Sequence, residues 1–121
     1  MSRFFTEEHE WIEFNDNTAT IGITKHAADE LGEVVYVELP SIDDNFEKGD
    51  EFGSVESVKT VSGIYSPASG TVVGLNDSLE SSPELLNSDP EGDAWLIKLA
   101  VSDQSVTESL MNESEYKAYI S

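Results

Sequence analysis

The segment of residues 53–67 constrains the fold more than any other part of the sequence. It places Lys59 in a run of small, β-branched and turn-forming residues, and the runs on both sides have the composition of strands. Two strands joined by so short a connection form a hairpin, which would put Lys59 near its tip. The chain has five lysines and one arginine in 121 residues, and no acid lies within two positions of Lys59. The pattern indicates an amine displayed for chemistry rather than a partner in an ion pair.

Strand patterns dominate the first half of the chain and return later. They are expected at residues 19–23, 33–40, 51–57, 63–67, 71–75 and 94–101. Residues 20–23 and 72–75 share an order of β-branched or polar, apolar, glycine and apolar residues. This weak internal echo fits a sheet of two similar halves, in which glycine permits close backbone approach.

Helix signals are local caps. Residues 24–32 predict a short helix that begins after Thr24 and stops at Gly32. The expected N-caps of the later helices are Ser82, Ser105 (in a capping box with Glu108) and Asn112. The last helix is expected to turn Tyr116, Tyr119 and Ile120 toward the core. We therefore expect one domain over residues 1–121, α+β in class but mostly β, with short helices and a C-terminal helix.

Charge and composition exclude several classes of function. The formal net charge of −19 opposes binding to nucleic acid, which requires basic groups to neutralise phosphates, and to anionic membranes. No apolar run approaches the roughly 20 residues of a membrane helix. The start of the chain lacks the pattern of a signal or transit peptide, and there is no cysteine. We expect an acidic, cytoplasmic monomer.

Metal and hydrolase patterns fail when tested residue by residue. The segment from Asn87 imitates a calcium loop, but its twelfth position is Lys98 instead of a glutamate. A second imitation, from Asp43, has Lys48 where glycine is needed. Two histidines without cysteine do not predict a structural zinc site, and neither histidine has a recognisable nucleophile block. The sequence predicts no metal site and no hydrolase.

Blocks along the whole chain resemble the H proteins of the glycine cleavage system. The block that carries the lysine is Glu56-Ser57-Val58-Lys59, followed by Ser62 and by Tyr65-Ser66-Pro67-Ala68-Ser69-Gly70. Others are His9-Glu10-Trp11, residues 21–27, residues 31–40, Lys48-Gly49-Asp50, residues 83–88 and Trp95-Leu96-Ile97-Lys98. The similarity covers about residues 5–120, and shared blocks in one order are more specific than any single motif.

The resemblance implies a lipoyl-domain-like barrel-sandwich hybrid without catalytic activity of its own. It implies lipoic acid, amide-linked to Lys59, as the cofactor. The implied partners are the pyridoxal-phosphate glycine decarboxylase (P protein), the aminomethyltransferase (T protein), dihydrolipoamide dehydrogenase (L protein) and the enzyme that attaches lipoate. The arm would carry the aminomethyl group of glycine from the first to the second and be reoxidised by the third. His9, Glu10, Ser62 and Gly63 are the implied residues of the groove that the arm occupies.

The chain departs from the family pattern at Gly63, where the turn after the lysine usually ends in an acid. A carboxylate there could attract the amine of the loaded arm, so we expect weaker shielding here. Installing Gly63→Asp should slow non-enzymatic loss of the aminomethyl group. The stretch from Pro40 to Asp43 also departs from the pattern, which is expected to alter only a loop.

Two other functions use the same lysine. A biotinyl carrier usually flanks its lysine with methionine, whereas the neighbours here are Val58 and Thr60. A lipoyl-relay protein would donate lipoate from Lys59 to other carrier domains and take no part in glycine breakdown. The sequence barely separates that relay from the shuttle.

Overall fold

Two antiparallel sheets make up most of the fold. The computed structural model describes residues 2–121, and nine strands are found there. They are β1 (Ser2–Phe5), β2 (Glu10–Asn15), β3 (Thr18–Ile23), β4 (Val34–Glu38), β5 (Asn45–Phe46), β6 (Glu51–Ser57), β7 (Val61–Tyr65), β8 (Gly70–Leu75) and β9 (Ile97–Ala100). Each run predicted as a strand overlaps one of these elements, and β7 begins two residues earlier than predicted.

The sheets hold six and three strands. The larger has the order β1-β2-β3-β9-β8-β5 and the smaller the order β4-β6-β7. Both bury one face in a single core, to which the larger sheet contributes Ile12, Ile21 and Leu99 and the smaller Val37 and Val55. Buried and partly exposed residues alternate along β9, whereas β2 also buries Trp11 in a second cluster with Phe5 and Tyr116. The predicted mostly-β α+β class is confirmed, without a closed barrel in the described residues.

Short helices connect and cover the sheets. They are α1 (Lys25–Leu31), α2 (Ser78–Ser81), α3 (Leu85–Ser88), a 3₁₀ helix (Gln104–Ser109) and α4 (Glu113–Ile120). The prediction for α1 is confirmed: the Thr24 side chain accepts from the Ala27 amide, and Gly32 ends the helix at φ 79°. None of the helices in residues 2–121 has the length and apolar character needed to cross a membrane.

The C-terminal helix α4 docks through one aromatic side chain. Asn112 caps it in a reciprocal capping box with Glu115, as predicted for the cap. Tyr116 is buried and stacks on Phe5 with ring centroids 4.7 Å apart. Tyr119 is 48% exposed, so the prediction that it faces the core is wrong. Ile120 is half-buried and packs against the same cluster as Tyr116, as predicted.

Two predicted caps are wrong. Ser82 ends α2, and α3 begins after Glu84 without a side-chain cap. Ser105 does not start a capping box, because Asp103 caps the 3₁₀ helix by accepting from the Ser105 amide. After Ser82 the amides of Leu85 and Leu86 donate to the backbone carbonyls of Ser82 and Pro83 instead, at 3.1 Å each.

Candidate functional site

The β6–β7 hairpin presents Lys59 on a fixed backbone. Strand β6 ends at Ser57 and β7 begins two residues after Lys59. The Ser57 hydroxyl oxygen accepts from the amides of Lys59 at 3.3 Å and Thr60 at 3.2 Å. The Ser57 amide donates to the Thr60 carbonyl at 2.8 Å, and the Val58 amide donates to the Glu33 carbonyl at 3.0 Å. These bonds confirm the predicted hairpin and hold its tip against the segment between α1 and β4.

The Lys59 side chain is exposed and lies near the end of α1. A methyl group built at Gly32 would lie 3.5 Å from Lys59 Cε and 3.9 Å from Nζ. Within residues 2–121 the amine makes no ion pair or hydrogen bond, which agrees with a group displayed for chemistry. Val58 and Val61 beside it are 66% and 64% exposed. Apolar side chains so exposed around one amine are typical of a surface that another protein covers.

A cavity of about 400 Å³ lies beside the hairpin, between β7, α1 and the β1–β2 loop. Its lining contains every residue that was predicted for the groove: His9, Glu10, Ser62 and Gly63. Its apolar part is formed by Ile23, Ala27, Leu31 and Ile64. The folding of residues far apart in sequence thus brings polar and apolar side chains together in one cavity beside the hairpin.

Glu10 is a buried carboxylate in this cavity, with 2% of its surface exposed. One oxygen accepts from the Thr6 hydroxyl at 2.9 Å and the other from the Tyr65 amide at 3.1 Å. Burial raises the pKa of Glu10 to about 7, and the bonds from Tyr65 and Thr6 oppose that rise. Glu10 has no cationic partner in the described part of the chain. An ammonium group brought beside it would find a desolvated carboxylate without a counter-charge.

His9 lies next to Glu10 and contacts the second histidine. Its backbone is left-handed, with φ 69°, and its Nδ1 is 2.8 Å from the Tyr116 hydroxyl. The rings of His9 and His26 have centroids 4.5 Å apart. Burial and the neighbouring His26 hold the pKa of His9 below its usual value. No sequence pattern predicts that the two histidines are in contact. The i,i+4 spacing of His26 and Glu30 on the predicted helix does indicate that these two side chains are neighbours.

Gly63 leaves room that a carboxylate from another strand occupies. A methyl group at Gly63 would collide with the Glu51 carboxylate and lie 3.4 Å from the Tyr65 hydroxyl. Ser62 pairs with Val55 across the hairpin and is half-buried. Sequence reasoning missed Glu51, because a register shift between Glu51 and Gly53 alters which residues face each other.

An exposed amine on a fixed hairpin, next to a partly apolar cavity, defines a carrier of a covalently attached group. A family model described as glycine cleavage H-protein matches residues 3–121. The chain therefore belongs to the glycine cleavage H-protein family.

Individual relatives agree with this family. A glycine cleavage system H protein of Staphylococcus haemolyticus is 51% identical over 116 residues, which are 96% of this chain and 92% of the relative. One of Staphylococcus epidermidis is 50% identical over the same shares. The crystal structure of a glycine cleavage system H protein from Mycobacterium marinum superposes with a TM-score of 0.89 at 34% identity, covering 97% of this chain and 94% of that one.

Family membership fixes the class of function. The chain is a lipoyl carrier of the glycine cleavage system, not an enzyme, and its cofactor is lipoate attached covalently to a lysine. It works with the other components of that system. The shuttle is therefore favoured over the lipoate relay, and a lipoyl group over biotin.

Proposed function

We propose that Lys59 is the lysine that bears the lipoyl group, through an amide at Nζ. The observation that carries this proposal is the fixed hairpin tip, which displays an unpaired amine beside the cavity. A lipoyl group on its lysine stem reaches on the order of 10–15 Å. The arm is thus long enough to enter the active site of a partner and to fold back along the protein.

The cargo of the arm is the aminomethyl group of glycine. The partners proposed are the pyridoxal-phosphate glycine decarboxylase, which loads it, the aminomethyltransferase, which removes it, and dihydrolipoamide dehydrogenase. A lipoate-attaching enzyme modifies Lys59 beforehand. When bound, the lipoyl group supplies disulfide and dithiol chemistry, while the protein supplies position.

The residues of the cavity fit an arm at rest. Its apolar side chains match the hydrocarbon and dithiolane of a lipoyl group, and its polar lining includes the buried Glu10. We assign to Glu10 the pairing with the amine of the cargo, because it is desolvated and has no cation beside it in the described residues. His9 and Ser62 line the same cavity.

The surface around the hairpin also restricts the partners. The apolar pair Val58 and Val61 is accompanied by the exposed acids Glu33 and Glu56. Amide formation removes the charge of Lys59 and makes this surface more acidic. A complementary partner surface would combine an apolar centre with basic residues at its edge.

Two measurements on protein from a lipoylating host test the proposal. The mass of the peptide that contains Lys59 is expected to show one lipoyl group. The same protein, mixed with the glycine decarboxylase, is expected to support exchange of bicarbonate into glycine. An unmodified Lys59 peptide beside a lipoylated one elsewhere would refute the attachment site. A modified protein that supports no exchange would refute the shuttle.

Glu51 is expected to shield the loaded arm in place of an acid at position 63. Because its carboxylate lies against Gly63, which lines the cavity, Glu51→Gln should speed non-enzymatic loss of the aminomethyl group. The expected change is about two- to fivefold, the factor that an exposed ion pair of up to about 1 kcal/mol produces. The measurement is the release of formaldehyde and ammonia from the loaded protein.

Two further variants test whether the position of the negative charge determines the rate of loss. Gly63→Asp should slow the loss, and should do so more in the Glu51→Gln background, because in the native background the new side chain displaces Glu51. Glu56→Gln removes a charge from the same strand at a residue that does not lie against Gly63, and it is the control. Equal rates for Glu51→Gln and Glu56→Gln would show that Glu51 has no special part.

We also propose a single domain, a monomer and a cytoplasmic location. The family match over residues 3–121 supports one domain. Relatives in bacteria support the cytoplasm. Light scattering of the purified chain tests the monomer, and fractionation of the native host tests the location.

A further inference from the structure

A cluster of two histidines and one glutamate lies where α1 meets the β1–β2 loop. His26 and Glu30 are one turn apart on α1, with His26 Nε2 2.5 Å from a Glu30 oxygen. His9 reaches them from the loop, and one possible ligand atom of each residue lies within 4.8 Å of the others. These groups come from two separate elements, so the cluster is built by the tertiary fold.

The position of His9 is held by several bonds. Its amide donates to the Thr6 carbonyl at 3.1 Å and its carbonyl accepts from the Thr24 amide at 3.0 Å. Its Nδ1 contacts the Tyr116 hydroxyl, which is itself 2.7 Å from the Thr24 hydroxyl. In the described residues its Nε2 makes no hydrogen bond. A histidine whose one nitrogen is fixed by a buried hydroxyl, and whose other is open, has the arrangement of a metal ligand.

The donor set is one that a transition metal prefers. Two imidazole nitrogens and one carboxylate leave a fourth position open in many zinc sites. Tetrahedral zinc holds such ligand atoms about 3.3 Å apart. The ligand atoms now lie within 4.8 Å of one another, and the exposed Glu30 side chain is free to rotate, so metal binding requires the side chains to adjust. The net charge of −19 favours the approach of any cation.

We propose that His9, His26 and Glu30 form a binding site for a divalent first-row transition-metal ion such as Zn²⁺. His9 Nε2, His26 Nε2 and a Glu30 carboxylate oxygen are the ligands. His9 and Glu30 also line the cavity beside the hairpin, whereas His26 does not. Occupancy of this site does not require a group on Lys59.

Zn²⁺ titration of the unlipoylated chain, with a chelating dye as competitor, tests the proposal. Zn²⁺ is expected to bind with a stoichiometry of one, and Mg²⁺ at the same concentration is not. His26→Gln, Glu30→Gln and His9→Asn should each weaken binding at least tenfold. Asparagine is chosen at position 9 because it tolerates left-handed backbone. Circular dichroism verifies that each variant is folded.

Asp29→Asn is the matched control, since it removes a charge from the same helix at a residue paired with Lys25. Native affinity in Asp29→Asn together with the three losses supports the site. Absence of Zn²⁺ binding, or equal binding of Mg²⁺, overturns it. Native affinity in folded His9→Asn also overturns it, because His26 and Glu30 on α1 would then bind the metal without His9. The lipoyl assignment stands or falls separately, since no lipoyl group is present in this experiment.

Discussion

Lys59→Arg is expected to abolish lipoylation and, with it, all exchange of bicarbonate into glycine. Arginine keeps a positive charge and a long stem, so the hairpin should fold as before. Its guanidinium is not an amine that an attaching enzyme can convert into the lipoyl amide. The measurements are the intact mass of protein from a lipoylating host and the exchange rate in the reconstituted system. The mass should show no added lipoyl group, and the exchange rate should fall to that of a mixture without the carrier.

Lys25→Arg is the control for this loss. Lys25 is also exposed, at 74% of its side chain, and pairs with Asp29 at 2.8 Å on the surface of α1. Arginine can keep that pair, so mass and exchange should be those of the native chain. Residual lipoylation or exchange in Lys59→Arg would contradict the attachment site. A matching loss in Lys25→Arg would show that the effect is not specific to the hairpin.

The parts of the site that the sequence predicts are those set by neighbours in the chain. The hairpin follows from strand-forming residues on both sides of Lys59, and its tip is closed by Ser57, two residues away. The helix α1 follows from Thr24 and Gly32, which act within one or two turns. Local chemistry of this kind depends little on the rest of the fold.

Contacts between distant segments are what the sequence could not supply. The bond between His9 and Tyr116 joins residues 107 positions apart, and that between Glu10 and Tyr65 spans 55. Only the family resemblance predicted that His9 and Glu10 lie in the groove. No pattern places Glu51 over Gly63, because a strand irregularity decides it. The role of each groove residue remains a prediction.

The internal echo shows both a success and a limit of sequence reasoning. Residues 20–23 and 72–75 fall on β3 and β8, which flank β9 on its two sides. The two glycines nevertheless have different neighbours. Gly22 faces the Trp11 ring, whereas Gly74 faces the side chain of Lys98. The shared pattern indicates similar strands but does not reveal which glycine the packing requires.

Gly22→Ala is expected to destabilise the fold by about 3 kcal/mol, at the upper end of the cost of overpacking. The new methyl group would lie 2.7 Å from Trp11 Cε2, which is too close for any real contact. Trp11 is 2% exposed, and its Nε1 donates to the Pro90 carbonyl at 3.0 Å. Moving the ring therefore strains the core and weakens a buried hydrogen bond. Urea unfolding, followed by tryptophan fluorescence, measures the change.

Gly74→Ala is the matched control, because both glycines occupy strands and neither has a positive φ. Its new methyl group would lie 3.3 Å from Lys98 Cβ, a contact that a small adjustment relieves. Alanine also costs less entropy than glycine in a strand, so the free energy of unfolding should change by less than about 1 kcal/mol. Equal losses in the two variants would mean that any side chain in these strands is harmful. A larger loss in Gly22→Ala locates the constraint in the approach of Trp11 to β3.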